Sequence, residues 1–552
     1  MKMKEKMSIP LLGVCLVIAL VMQGGFFDHS VAVIGMAVLG SFLYMLLKGE
    51  SFCRIDLRGI SAIPVVLTGI ALVVSFWAVD YMDNLMGVLR LLVMCLWMYL
   101  VQCQGTEEAD MAKKMIPVMG CVSVGISVVS LLSPSLEVYF WENSRLSGFF
   151  QYANTNGLFY ALGIMILIYQ LQGRKKPVRE LVQIGILLMG LLLSGSRSVL
   201  LLLLMWGVYY AVKTAEFRKP FFIGTGGFLI LGGLYVVITG STSNIGRIFT
   251  IFTSNSTLWG RLLYYRDAIL LLGQKFFGLG RLGYYYSQGT FQSGVYNIKY
   301  VHNDFLQMAL DYGVIALILL LVFCGWQILK GTQEKENKEL LLFICVASLV
   351  DLHCQYLMII MMAYLFCDYG EQRKEKHTNK NKTWKYAVVT VLSVVFLYVG
   401  IGTGSGRQGD YGLSLTMLPD YTYVQEEILL NSMGTDTSYI LANQVLEKNP
   451  YNITAYIARG SFYASKLQVQ KCINDFDRML ELAPYNVDYY MQYEGLLLKM
   501  KDAILAMGEE ADTEDLALIQ DRMESLPHQL EQVKERTSPL AYKIKDQPSF
   551  TY

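Results

Sequence analysis

Residues 339–368, "ELLLFICVASLVDLHCQYLMIIMMAYLFCD", form an apolar stretch of 30 residues interrupted near its middle by Asp351 and His353. A bilayer is crossed by roughly 17 to 25 helical residues, so the stretch is either one overlong helix or two short ones folded as a hairpin. The choice decides on which side of the membrane everything after it lies. The charges around it favour the hairpin.

The chain has 552 residues, 54% hydrophobic and 16% charged, with a mean hydropathy of +0.39. Soluble chains carry about a quarter charged residues, so this composition belongs in lipid. Apolar runs near 8–26, 31–47, 60–79, 85–101, 115–133, 154–171, 180–194, 198–213, 220–239, 306–329 and 385–403 predict further spans. Short cytoplasmic loops collect Lys and Arg. "MKMKEK" at the start puts the N-terminus inside, and alternate counting puts "KGESFCRIDLR", "GRKKPVRE", "KTAEFRK" and "KGTQEKENK" inside and "AVDYMDN" outside. The polybasic "EQRKEKHTNKNKTWK" (371–385) joins the inner loops only if 339–368 crosses twice.

The expectation is therefore an all-α polytopic membrane protein with thirteen spans over 1–404 and a large outer loop over 240–303. A linker (405–435), helical repeats (436–530) and a tail (531–552) then lie outside. The first span reads as an anchor, since no small-x-small cleavage site follows it. The ten cysteines sit mostly in or beside spans and the outer C-terminal region holds only Cys472, so neither a disulfide framework nor a CxxC metal site is implied. The net charge of +1 gives no reason to expect a nucleic-acid partner; the distribution of charge says more.

"VLEKNPYNITAYIARGSFY" (445–463) matches "MLELAPYNVDYYMQYEGLL" (479–497) at an offset of 34 residues. Leu446, Glu447, Pro450, Tyr451, Asn452 and Tyr456 recur at Leu480, Glu481, Pro484, Tyr485, Asn486 and Tyr490. The period and pattern resemble the tetratricopeptide repeat, a helix-turn-helix unit. Stacks of such units usually number three or more, so flanking helices (420–432 and 499–525) are expected to cap this one and the final residues to be loosely ordered. The repeats are either a helical appendage or a docking surface for a protein partner or glycan.

The outer loop carries Arg247, Arg261, Arg266, Lys275, Arg281 and Lys299 against the single acid Asp267. Arg145 in "NSRLSGFFQYANTNG" and Arg197 in the short turn "LSGSRSVL" join them from other outer segments. Any one of these can pair with membrane-lipid headgroups. Arg197 stands apart, because Ser194, Gly195, Ser196 and Ser198 leave room for close backbone approach and a planar guanidinium suits bidentate phosphate oxygens. A diphosphate on a lipid carrier fits. Residues 258–273 have the spacing of an interfacial helix carrying Arg261 and Arg266. The loop's tyrosines, Tyr284 among them, are either an interfacial belt or stacking faces for sugars.

"YVHNDFLQMALDYGVIALILLL" (300–321) puts His302 and Asn303 directly before an apolar helix. Asn303 is a plausible N-cap, and the positive end of the helix dipole disfavours imidazolium at His302. Such a ring either deprotonates an acceptor hydroxyl while a lipid diphosphate leaves, its charge held by the arginines, or is a capping histidine satisfied by a loop carbonyl.

"RLSGFFQYANTNG", "SGSRS", Gly260-Arg261, "GLG" at 278–280 and "HNDFLQMALDYG" occur in this order. Over roughly residues 60–370 the ordered set resembles the O-antigen ligase and polymerase family of bacterial surface-polysaccharide assembly. The resemblance implies a GT-C-like membrane fold and a metal-independent transferase without cofactor. It would move a glycan from undecaprenyl diphosphate to an acceptor glycan, lipid or protein on the outer face of the cytoplasmic membrane. By motif the resemblance implies that Arg197, Arg261 and His302 are catalytic, with Arg145 in the binding set. Arg266, Arg281, Asn303 and Tyr284 complete the expected substrate-binding residues.

A flippase or transporter for lipid-linked oligosaccharide is the alternative, but transport favours ionisable groups inside spans, and Arg90, Asp351 and His353 are few. Asp80 and Asp83 in "VDYMDN" read as a solvated loop rather than a metal site. The thirteen-span topology predicts that Ser461→Cys, in a background lacking accessible thiols, is labelled by a membrane-impermeant maleimide on intact cells. Labelling of His377→Cys instead, with Ser461→Cys protected, would invert the orientation.

Overall fold

The computed structural model describes residues 10–50, 52, 59–172, 177–226, 256–369, 379–508 and 512–544. Arg247, the N-terminal "MKMKEK", most of "KGESFCRIDLR" and the first half of "GRKKPVRE" lie outside the described residues, as do most of 220–239 and the first part of the polybasic loop. Among the described residues four helices, Asp28–Lys48, Tyr81–Gln104, Thr106–Leu132 and Thr383–Arg407, are long and apolar enough to cross a membrane. Shorter apolar helices, including Leu11–Val21 and Val314–Leu329, pack among them.

Ala153–Leu171 is the axis of the bundle. Its residues from Ala153 to Ile168 are almost all buried, as expected of a helix apolar on every face. It packs against Thr106–Val129 and Val178–Ser194. Before it, Trp141–Glu142 and Arg145–Leu146 pair as a two-stranded antiparallel hairpin. Asn143 and Ser144 both have positive φ, as a two-residue primed turn requires.

The stretch 339–368 folds as two helices, Lys335–Ser348 and Leu357–Leu365, with Asp351 and His353 in the turn between. Two anchors fix that turn. The Cys354 amide donates to Asp304 Oδ2 at 2.7 Å, and the buried Arg90 donates to the carbonyls of Gln355 and Phe26.

The run read as a single span over 306–329 is two helices, Asp304–Tyr312 and Val314–Leu329. They part at Gly313, where the outer loop lies alongside. The amides of Leu279 and Gly280 donate to the carbonyls of Leu310 and Asp311 at 2.8 and 2.9 Å, and that of Val314 to Phe276 at 3.0 Å. This contact explains "GLG". Gly278 has φ +84°, and a Cβ there would lie 2.6 Å from both the Asp311 carbonyl oxygen and the Gly313 nitrogen.

A helix, Ser256–Gln274, spans the stretch 258–273 whose spacing predicted one. The belt reading is not met for Tyr284, Tyr286 and Tyr300, which are buried.

Beyond residue 420 come Thr422–Asn431, Asp436–Lys448, Ile453–Ser465, Val469–Leu482, Val487–Leu505 and Thr513–Glu535. The expected cap over 499–525 is thus divided between two helices. The recurring residues have matching roles in both copies. Asn452 and Asn486 cap the helices that follow them, while Tyr456 and Tyr490 donate back to the carbonyls of Pro450 and Pro484 at 3.3 and 3.2 Å.

Two expectations fail here. Asp80 and Asp83 are buried, not solvated. Asp80 Oδ2 accepts from Thr422 at 2.8 Å and Asn449 at 3.2 Å, and Asp83 accepts from Tyr286 at 3.0 Å, so these carboxylates tie three segments together. Nor is the described part of the tail loose. Its Ser538 amide donates to the Ser293 carbonyl at 2.8 Å, Ala541 is fully buried, and Lys543 lies over the Trp259 ring.

The outer loop and the repeats meet most closely at Gly289, where an added Cβ would sit 1.6 Å from the Leu482 carbonyl oxygen. Backbone on both sides leaves nothing flexible to yield. Gly289→Ala is therefore expected to destabilise this junction by about 1–3 kcal/mol, the usual cost of overpacking. Limited proteolysis should cut the segment after residue 410 faster in the variant, while unchanged cleavage would show that the junction is looser than its geometry.

Candidate functional site

The site is built on Asp351, whose side chain is fully buried. A carboxylate taken out of water needs donors on both oxygens. Oδ1 accepts from Tyr152 Oη at 2.7 Å, from the Leu352 amide at 2.9 Å and from His302 Nδ1 at 3.1 Å. Oδ2 accepts from Asn154 Nδ2 at 2.6 Å and Arg261 Nη2 at 3.0 Å. Burial alone would raise this carboxyl. The His302 hydrogen bond and the Arg261 guanidinium outweigh it and hold the group well below the ordinary carboxylate range.

His302 is placed by its backbone as well as by its partner. It has φ +52°, in the left-handed region that few non-glycine residues adopt, and its carbonyl accepts from Tyr265 Oη at 2.5 Å. Asn303 caps Asp304–Tyr312, its Oδ1 accepting from the Leu306 amide at 3.0 Å. An ionised carboxylate only accepts, so His302 Nδ1 carries the hydrogen and Nε2 is left for a ligand. The side chain is 24% exposed.

Arg145 reaches the same centre from the hairpin. Its Nη2 donates to Asn154 Oδ1 at 2.6 Å, which turns the Asn154 amide toward Asp351, and its Nε donates to the Ser194 carbonyl at 2.8 Å. Ser194 belongs to the turn that precedes Arg197, and Arg197 opens the helix Arg197–Lys213. That turn lies against the start of the central helix, for a Cβ at Gly157 would be 2.9 Å from Ser194 Oγ and Ser196 Cβ. The N-termini of helices 153–171 and 304–312 thus meet Arg145 and Arg261 around Asp351, and the start of helix 197–213 lies beside the first of them, a setting suited to an anion.

The other expected residues stand elsewhere. Arg281 is buried in an ion pair with Asp28 at 2.9 Å. Tyr284 is fully buried against Phe291 and offers no exposed face. Arg266 is on the surface of the outer loop, 3.0 Å from Ser293 Oγ. Asp351, Tyr152 and Asn154 are the residues that sequence reading missed. Asp351 read as a break in an apolar stretch and as one of few ionisable groups inside spans, although "QYANTNG" did carry the other two.

His353, next to Asp351, is fully buried with Nδ1 3.0 Å from Thr155 Oγ1. Among the described residues no group of three or more His, Cys, Asp and Glu side chains forms a metal cage.

Burial, against the opposing pull of Asp351, lowers the His353 imidazole to about 4. A histidine that stays neutral in the fold but titrates near 6.5 when unfolded stabilises fully above that value and loses the contribution as pH falls toward 4. Asp351, also depressed, adds a further loss below the ordinary carboxylate range. The thermal midpoint of the purified protein should therefore drop between pH 7 and 4. His353→Gln should make that drop shallower. A pH profile identical in parent and variant would contradict this.

Residues 183–321 match the family model described as O-Antigen ligase. The matched segment holds Arg197, Arg261, His302 and Asn303; Arg145, Tyr152, Asn154 and Asp351 lie outside it. No curated protein and no solved structure matches the chain.

Proposed function

We propose that this O-antigen ligase-like helical membrane protein transfers a glycan from a polyprenyl diphosphate, undecaprenyl diphosphate in a bacterial cell membrane, to an acceptor hydroxyl on the outer face. The observation that carries the reading is His302 held by a buried carboxylate beside converging guanidinium groups. His302 Nε2 takes the proton of the acceptor hydroxyl as its oxygen bonds to the anomeric carbon. The bond from that carbon to the diphosphate breaks, and Arg145, Arg197 and Arg261 hold the charge on the departing carrier. Asp351 keeps the ring in the Nδ1–H form and offsets the positive charge it gains, the part played by the third member of a catalytic triad. Guanidinium groups supply the neutralisation, so the step calls for no metal ion or cofactor. Asn303 supports the site as a helix cap. The acceptor is the hydroxyl of a glycan, lipid or protein.

The transport alternative gains little support from the intramembrane charges. Arg90 ties down the turn that carries Asp351, and Asp351 and His353 are engaged in that turn. In this reading the tetratricopeptide-like region is extracytoplasmic, beside a multi-pass domain.

Purified protein supplied with undecaprenyl-diphosphate oligosaccharide should turn over in EDTA. His302→Gln keeps a hydrogen-bonding side chain but cannot take the proton, so turnover should fall about 10²–10⁴-fold while donor binding persists. Arg197→Ala and Arg261→Ala should each fall by a similar factor, and Arg197→Lys should recover little because it lacks the planar fork. Turnover of His302→Gln within a few-fold of the parent would remove the ring from the proton transfer.

A further inference from the structure

A cavity of about 280 Å³ separates the outer loop from the repeats. Tyr285 and Gln292 line it from the loop, Glu426 from the helix before the repeats, and Tyr451, Asn486 and Tyr489 from the repeat turns and the helix after them. Both copies of the recurring Pro-Tyr-Asn motif thus open onto one space, a use of the motif that its capping role does not explain. The hydroxyls of Tyr285, Tyr451 and Tyr489 make no hydrogen bond among the described residues. The described lining contains no Lys, Arg or His, whereas it does contain Glu426 and Asp488.

This cavity shares part of its lining with a second one, which Tyr300, two residues before His302, also lines. Tyr285, Tyr286, Asn297 and Glu426 also line a second cavity, of about 370 Å³, that contains Phe26 and Tyr300. From there Phe26 stacks on Tyr356 at 4.9 Å, Tyr356 stacks on Tyr152 at 6.1 Å, and the Tyr152 hydroxyl is on Asp351.

We infer that the cavity between the outer loop and the repeats is a binding site for an uncharged sugar residue of the glycan handled at His302. This deepens the transferase reading and rests on it. A pyranose has flat C–H faces that pack on aromatic rings and a rim of hydroxyls that need donors and acceptors in the same plane. Tyrosines interleaved with amides and a carboxylate provide both. A lining without Lys, Arg or His offers a uronate or a phosphate no cation to pair with. Glu426, pushed up to about 7 by burial against the Asn452 hydrogen bond, has a proton to donate near neutrality.

The test uses the full-length chain in detergent and two probes. One is the lipid-linked oligosaccharide extracted from the host's own membranes; the other is the same oligosaccharide released from its lipid by mild acid. Calorimetric titration should show the released oligosaccharide binding equally to the parent and to His302→Gln. Tyr489→Ala and Tyr451→Ala should each weaken it by about tenfold. The two substitutions are on different turns, so failure of one variant to fold leaves the other to decide.

Weakening of the lipid-linked probe as well would place the donor's glycan in the cavity; weakening of the released probe alone would place the acceptor's there. No binding of released oligosaccharide by the parent, or unchanged affinity in both tyrosine variants, would overturn the site, as would equal affinity for a polyuronate. Turnover by His302→Gln would sink the transferase step while leaving the binding result intact, so the two failures are distinguishable.

Discussion

The burial of the Asp351 carboxylate is the constraint on which the rest of the site depends. Moving a carboxylate out of water costs several kcal/mol unless donors replace the lost hydration. Here the donors come from the loop before the central helix, from that helix, from the outer loop and from the residue before helix 304–312. No two of these segments are close in sequence to Asp351. Packing them around one anion therefore fixes the relative positions of a histidine, an arginine and the start of the axial helix, without substrate present. A site organised in this way loses little in reorganisation when charge develops in it.

The surroundings of Asp351 are rigid for separate reasons. Its turn is gripped by Asp304 on one side and Arg90 on the other. Arg145 orients Asn154, so the acceptor side of that amide is occupied and its donor side faces the carboxylate. A charged side chain buried in a span commonly signals a transport path. Arg90 instead satisfies two backbone carbonyls that would otherwise be orphaned where helices end, a structural use of the same desolvated charge.

Much of this was legible in the sequence, and what was not has a common cause. Hydrophobic runs gave the helices, and the break at Asp351 and His353 gave the turn. Asn303 was legible as a cap because capping is local, with donor and acceptor three residues apart. Arg145, Arg197 and Arg261 could be singled out by charge in short outer segments. Asp351 could not, since its side-chain partners lie 49 to 199 residues away. The same blindness placed Arg281 with the site: counting cations in a loop cannot show that one of them is matched by Asp28 from the second helix. Tyr284 misled for a related reason, because tyrosine suits a sugar face and a buried core equally. The division at Gly313 was hidden inside a continuous apolar run, and only the outer-loop backbone lying against it makes the break favourable.

Charge is segregated along the route from the membrane to the repeats, and this bears on how a long amphiphilic substrate would lie. Arginines and helix N-termini gather around Asp351, and the middle cavity is lined by both signs, Arg281, Lys299 and Arg407 with Asp28, Asp83 and Glu426. Cations cease at the repeat-side cavity, which has no Lys, Arg or His in its lining. A diphosphate is drawn to the first region and repelled from the last, while an uncharged sugar is indifferent to the field and responds to stacking and hydrogen bonds. A lipid diphosphate bearing a glycan would thus be oriented before any close contact forms, with the diphosphate at the bundle and the sugars toward the repeats. The clamp between outer loop and repeats at Gly289 matters for that reason: it keeps the uncharged end of the route at a fixed separation from the charged one.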